Sequence, residues 1–237
     1  MQDLNEYLMK NFGKSVSKIS ETEFGNKLIE KDLKMISWDD VASDFHKTND
    51  EFREKFSTSD GLVIIEKENK TQLFFIEFKN MDYSKKEDRQ MRLHNLKNNL
   101  KQMKECEYNC KIYEDIKKLS KHLVDESHVS LRSKPSDSIS LFYYIMKNYY
   151  TKMDDNDENI EKKCIEKLSE CDKFFFLVSN TEAQYLPFKN KSNRYNTIIK
   201  PLEFLKRFEP YHYKMVLTVN KSGFDKYFYD RNHEFLN

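Results

Sequence analysis

The segment STSDGLVIIEKENKTQLFFIEFKN, residues 57–80, constrains the fold of this chain most strongly. Two apolar runs, Leu62–Ile65 and Leu73–Ile76, flank the charged, turn-like patch EKENK. Short apolar runs on either side of such a patch predict two β-strands joined as a hairpin. An antiparallel hairpin without a bulge has its centre between Glu68 and Asn69, so we expect residues equidistant from that point to face each other.

Charged side chains stand at the outer ends of this predicted hairpin. Asp60 and Glu77 are equidistant from its centre, and direct cross-strand neighbours have Cβ atoms about 4.5–5.5 Å apart. Lys79 shares the face of Glu77, whereas Phe78 points to the opposite face, into packing. Two like charges in such positions destabilise a sheet unless they are neutralised. A shared proton, the Lys79 ammonium or a divalent cation such as Mg²⁺ would each do so.

Length and composition favour one folded domain over 1–237. The chain has 237 residues, of which 38% are hydrophobic and 14% aromatic, and this is enough for a packed interior. Four glycines and four prolines are too few for a Gly-rich phosphate loop or an all-β sandwich. The net charge is +1, so a polyanionic partner must be met by a local basic patch.

The remaining patterns predict an α/β protein with a central mixed sheet flanked by helices. Ser20 and Glu23 form a capping box that predicts a helix over 20–36. The runs at 173–180 and 213–220 predict two further strands.

Between the hairpin and residue 173 the pattern is helical, and we expect a helical insertion at about 84–170. A charged helix is predicted from Ser84 to about Glu126, with a break at Lys134-Pro135 and a second helix from about Ser136 to Tyr150. The segment IEKKCIEKLSEC predicts one more helix.

The residues Ser59-Asp60 and Glu77-Phe78-Lys79 together resemble the motif of the PD-(D/E)XK nuclease superfamily. Glu-x-Lys occurs three times in the chain, but only this copy ends an apolar strand and has an aspartate opposite it. The proline of the family motif is replaced by Ser59. Gln90 is followed four residues later by His94, so the Q-x-x-x-Y motif of the RecB-like subgroup is not matched.

The resemblance implies a restriction-endonuclease-like core, in an α-β-β-β-α-β arrangement, that hydrolyses phosphodiester bonds with Mg²⁺ or Mn²⁺. Its metal ligands would be Asp60, Glu77, the Phe78 backbone carbonyl and Glu23. Glu30, on the same face of the predicted helix, is the alternative to Glu23. Lys79 would orient or deprotonate the attacking water and stabilise developing negative charge.

A basic stretch within the predicted insertion is the candidate for substrate binding. It contains five basic residues and no acidic one: Arg89, Arg92, Lys97, Lys101 and Lys104. Phosphate contact and a solvated helix face are both open interpretations. The apolar seam on the same predicted helix consists of Leu93, Leu96, Leu100 and Met103. It would form a homodimer interface or pack inward.

The sequence favours a cytoplasmic location. The opening MQDLNEYLMKNFGK has no continuous apolar core typical of a signal peptide, and no apolar run has the length of a membrane span. The four cysteines form neither C-x-x-C pairs nor a disulfide framework, and the six histidines show no metal-type spacing.

We therefore expect a Mg²⁺-dependent nuclease, acting on DNA in restriction, mobile-element defence or repair. One alternative is a catalytically inactive nuclease-like module that binds nucleic acid or serves assembly. A second alternative is a mainly helical interaction protein, which the apolar seam would suit.

Overall fold

The structure of the protein is a computed structural model that describes residues 1–21, 25–31, 33–67, 70–79, 111–154, 157–180, 188–189, 195–196, 205–232 and 234. Side chains are not described for 111–130, 188–189 and 195–196. The basic stretch and the apolar seam of the predicted insertion lie outside the described residues, as does Glu23.

A six-stranded mixed sheet forms the centre of the molecule. In order across the sheet, its strands are β1 (Gly13–Ser15), β2 (Lys34–Ser37), β3 (Gly61–Lys67), β4 (Lys70–Lys79), β5 (Asp172–Ser179) and β8 (Met215–Val219). Neighbours from β1 to β4 are antiparallel, whereas β4 pairs with β5, and β5 with β8, in parallel. A separate antiparallel pair joins β6 (Phe188–Lys189) to β7 (Tyr195–Asn196). The predicted α/β class with a mixed sheet is thereby confirmed.

The hairpin of β3 and β4 has the predicted register. Gly61 pairs with Ile76 and Lys67 pairs with Lys70, so the strands are symmetric about the predicted centre. A strand of period two sends alternate side chains to opposite faces. Phe74 accordingly packs in one hydrophobic core and Phe75 in the other.

The helical elements are α1 (Gln2–Phe12), α2 (Val16–Ile19), α3 (Trp38–Thr48), α4 (Lys111–Met153), α5 (Ile160–Glu170), α6 (Lys221–Phe224), a π-helical turn (Asp225–Tyr229) and α7 (Asp230–Asn232). In α3 the buried residues Trp38, Val41, Ala42 and Phe45 recur at helical spacing and form one apolar face. None of the helices in the described part of the chain is long and apolar enough to cross a membrane.

Hydrophobic cores cover both faces of the sheet. The first face packs against α1, α3, α4 and α5, and its largest buried side chains include Trp38, Phe142 and Phe175. The second face packs against the segment that precedes β2 and against the C-terminal helical turns, with Phe224 and Phe228 fully buried. The candidate site lies on the first face, because Glu77 has the same strand parity as Phe75.

The predicted helix over 20–36 is wrong. Ser20 caps no such helix, because its Oγ accepts a hydrogen bond from the Ile29 N–H at 3.1 Å. Gly25 has φ 77, a left-handed conformation that glycine adopts at little cost. The last part of the predicted helix forms β2, whose Ile36 pairs with Leu62. Pairing with the hairpin therefore outweighs the local helical pattern here.

The predicted helix break at Lys134-Pro135 is also wrong, since α4 continues through Pro135. Proline lacks the N–H that would complete a helical hydrogen bond. Tertiary contacts hold this part of α4, because the buried Tyr213 hydroxyl donates to the Pro135 carbonyl at 2.7 Å. The helix predicted from IEKKCIEKLSEC and the strands predicted at 173–180 and 213–220 are confirmed as α5, β5 and β8.

Candidate active site at the end of the hairpin

Asp60 precedes β3 and is fixed on both sides by backbone hydrogen bonds. Its carbonyl accepts from the Trp38 N–H at 2.9 Å, which ties it to the start of α3. Its carboxylate Oδ2 accepts from the Phe78 N–H at 2.6 Å, across the hairpin on β4. The Asp60 side chain is 20% exposed and is therefore held at the mouth of the site.

Glu77 is the buried carboxylate of the site. Its side chain is 0% exposed, and Phe78 packs in the opposite core as predicted. Glu77 Oε1 lies 2.7 Å from Lys79 Nζ, so these two side chains share a face of β4 as predicted. Neither carboxylate oxygen of Glu77 has a partner in hydrogen-bond geometry, although each lies within ion-pair distance of an ammonium group. An anion in this position depends on nearby positive charge.

Lys134 supplies the second positive charge, and the sequence analysis did not identify it. Its Nζ lies 2.9 Å from Glu77 Oε2 and 3.7 Å from Asp60 Oδ1. The same ammonium donates to the Thr58 carbonyl at 2.6 Å. Asp60 and Glu77 therefore flank one cation, which in this structure is a side chain of α4 and none of the three neutralising groups considered from the sequence.

The polar segment of α4 that carries Lys134 is docked on the loop that leads into β3. Ser138 Oγ accepts from the Ser59 N–H at 2.9 Å and donates to Ser59 Oγ at 3.3 Å. Asp137 Oδ2 accepts from the Ser57 N–H at 3.2 Å. These bonds fix Lys134 relative to Asp60. The available sequence signal was the run KPSDS, a cluster of polar residues within a segment whose flanks bury Leu131 and Leu141.

Electrostatics in this cluster favour charged lysines. Burial and the neighbouring Glu77 charge raise the pKa of Asp60 to about 7, against the opposing effect of Lys134 and Lys79. Burial by itself would lower the pKa of each lysine, but Glu77 and Asp60 outweigh it and raise the pKa of both Lys79 and Lys134. Both ammonium groups therefore stay protonated at neutral pH.

The donor set suits a hard divalent cation that keeps most of its water ligands. Asp60 and Glu77 offer carboxylate oxygens, and the two oxygens of Glu77 are buried, each paired with a lysine ammonium. Mg²⁺ needs only one or two protein carboxylates of this kind. Within the described ranges no group of three or more His, Cys, Asp and Glu side chains could hold a metal ion, so the exposed Glu30 does not join the pair.

Asp39, at the start of α3, is a further carboxylate close to the cluster. It accepts a hydrogen bond from Thr58 Oγ1 at 3.1 Å and is one of the charges that raise the pKa of Lys79. Asp39 was not among the site residues predicted from the sequence. The carbonyl of Phe78 stays a predicted ligand, and Glu23 is a prediction outside the described residues.

The comparisons with known proteins assign no family to this chain. No family model matches it, and neither the curated proteins nor the solved structures contain a significant match.

Proposed function

We propose that the protein is a metal-dependent nuclease that hydrolyses phosphodiester bonds, with DNA as its substrate. The observation that carries this proposal is the convergence of Asp60, Glu77 and Lys79 at one end of the hairpin. Glu77 is completely buried there, and the cost of removing its charge from water is offset by Lys79 at 2.7 Å and Lys134 at 2.9 Å. Asp60, in the same cluster, has its pKa raised to about 7, and ionisable groups with perturbed pKa values cluster at functional sites.

The strand arrangement supports the resemblance to the PD-(D/E)XK superfamily. The neighbours β2, β3 and β4 are antiparallel, and β5 then joins β4 in parallel after the helices α4 and α5. This order corresponds to the β-β-β-α-β part of the pattern that the resemblance implies, with α3 as an additional helix between β2 and β3. We treat 1–237 as one nuclease domain in which the segment between β4 and β5 is the insertion.

Each residue of the cluster has a defined part in the proposed reaction. A bound Mg²⁺ or Mn²⁺ would polarise the scissile phosphate and lower the pKa of a water ligand. Asp60 and Glu77 would hold that ion, and the backbone bond from Phe78 keeps the Asp60 carboxylate oriented. Lys79 would orient or deprotonate the attacking water and stabilise negative charge on the phosphate.

The proposed substrate contacts and cellular location depend on residues outside the cluster. The basic residues between Arg89 and Lys104 would contact phosphates without regard to sequence. We place the activity in the cytoplasm, where the free, buried Cys164 and Cys171 would stay reduced.

The direct test is cleavage of plasmid DNA, single-stranded DNA and RNA in Mg²⁺, Mn²⁺ or EDTA. Glu77→Gln should lower the metal-dependent rate at least about 100-fold, since it removes a metal ligand. Glu66→Gln makes the same change at an exposed position of the same hairpin and should keep the wild-type rate. Lys79→Met and the exposed Lys70→Met form a second matched pair on β4. Full metal-dependent cleavage by both Glu77→Gln and Lys79→Met would refute the assignment.

A second candidate function is a nuclease-like module that binds nucleic acid or serves assembly without catalysis. The neutralisation of both carboxylates by Lys79 and Lys134 favours it, because the cluster needs no metal for charge balance. This candidate predicts nucleic-acid binding without cleavage in any metal, and the same binding by wild type and Glu77→Gln.

A further inference from the structure

The ammonium of Lys134 has an environment made of oxygen atoms from three different residues. Its nearest neighbours are the Thr58 carbonyl at 2.6 Å, Glu77 Oε2 at 2.9 Å and Asp60 Oδ1 at 3.7 Å. Lysine has three N–H donors and no acceptor. Two carboxylates and one backbone carbonyl are also the ligand types that hard divalent cations bind.

Lys134 is held in this position from outside the hairpin. The Tyr213 hydroxyl contacts the carbonyl of Pro135, the next residue, and Ser138 is bonded to Ser59 one helical turn further. The Lys134 side chain is 10% exposed, so water provides little alternative solvation for its charge. The Lys134 ammonium is therefore a fixed component of the site and not a mobile surface charge.

We propose that Lys134 is an internal competitor for the divalent cation, occupying the position between Asp60 and Glu77 until metal displaces it. This rests on the metal-binding part of the proposed function. An ammonium and a divalent cation that contacted the same oxygens would lie within a few Å of each other and repel strongly, so both cannot use these oxygens at once. Lys134 would therefore weaken metal binding and set the metal concentration at which the site fills. A monovalent ion, with the same charge as the ammonium, would gain nothing by replacing it.

A calorimetric titration of the purified protein with Mn²⁺, in the absence of nucleic acid, tests this competition. Lys134→Met should bind Mn²⁺ at least about tenfold more tightly than wild type, because the repelling charge is gone. Lys152→Met removes an exposed lysine from the same helix and should bind Mn²⁺ as wild type does. Equal or weaker binding by Lys134→Met would overturn the proposal.

A second measurement uses the wild-type chain and does not depend on the folding of a variant. Amine labelling followed by mass spectrometry should find Lys134 protected in EDTA and several-fold more reactive in saturating Mn²⁺, with Lys152 unchanged. Labelling of Lys134 that does not change at a bound stoichiometry of one Mn²⁺ would overturn the inference.

The outcomes separate this inference from the proposed nuclease activity. Tighter Mn²⁺ binding by Lys134→Met without cleavage of any nucleic acid supports the competition and removes the nuclease assignment. Cleavage by wild type with unchanged Mn²⁺ affinity in Lys134→Met keeps the nuclease and removes the competition. Failure of both proteins to bind Mn²⁺ overturns both.

Discussion

Replacing Lys134 by methionine should destabilise the metal-free protein by about 3 kcal/mol. Removing one partner of a buried ion pair costs about 3–5 kcal/mol, because it leaves the other charge uncompensated. Glu77 is 0% exposed and would keep only Lys79, at 2.7 Å, so we expect the lower end of that range. The Thr58 carbonyl would also lose its 2.6 Å donor, which adds to the cost. Methionine has a similar length, so the change in packing volume is small.

Urea unfolding at pH 8 in EDTA measures this loss by linear extrapolation. Lys152→Met, at an exposed position of α4, should stay within about 0.5 kcal/mol of wild type. The double variant Glu77→Leu/Lys134→Met should recover most of the loss, because replacing a buried pair by apolar side chains is often neutral. A loss below about 1 kcal/mol in the single variant, or a double variant less stable than the single one, would refute this account of the cluster.

Two further predictions concern Asp60, which belongs to the cluster, and Tyr213, which contacts the helix that carries Lys134. The pKa of Asp60 is about 7 in the folded protein against a reference of 3.8. The stabilisation that comes from this raised pKa is therefore complete below about pH 4, where the carboxyl group is protonated, and is lost as the pH rises to about 7. Wild type in EDTA should therefore lose stability relative to Asp60→Asn as pH rises from 5 to 7, by at most about 1.4 kcal/mol per pH unit. A difference that is flat over this range in urea unfolding would contradict the raised pKa. Tyr213→Phe should cost about 1–3 kcal/mol, because the buried Pro135 carbonyl loses the 2.7 Å hydrogen bond, whereas Tyr211→Phe at an 88% exposed position should cost almost nothing. Equal melting temperatures for these two tyrosine variants would show that the hydroxyl does not hold α4.

The hairpin could be predicted from sequence because its determinants are local. The turn patch fixes the centre, the centre fixes the register, and the strand period fixes the faces of Glu77, Phe78 and Lys79. Both faces of these strands are buried, so the apolar runs alone do not fix the pairing, and the turn patch is what sets the register. The need to neutralise Asp60 and Glu77 could be predicted for the same local reason.

The identity of the neutralising cation was beyond local reasoning. Lys134 is separated from Thr58 by 76 positions in the sequence, and only the packing of α4 on the first face of the sheet brings them together. The dipeptide Lys134-Pro135 has a local preference against helix, which tertiary bonds override. The failed helix over 20–36 has the same origin, since β2 gains its stability from pairing with β3.

Charge balance in the cluster leads to a final prediction on substrate binding. Asp60 and Glu77 carry two negative charges and the two lysines carry two positive ones, so the metal-free cluster is close to neutral when Asp60 is ionised. Addition of a divalent cation makes it positive, which suits a phosphodiester. Fluorescence anisotropy measures the binding of a short DNA duplex. The affinity of wild type should increase several-fold when EDTA is replaced by Ca²⁺. This increase should disappear in Glu77→Gln but persist in Glu66→Gln. If wild type binds DNA equally well in EDTA and Ca²⁺, the basic stretch outside the cluster carries the binding, and the argument from charge balance is wrong.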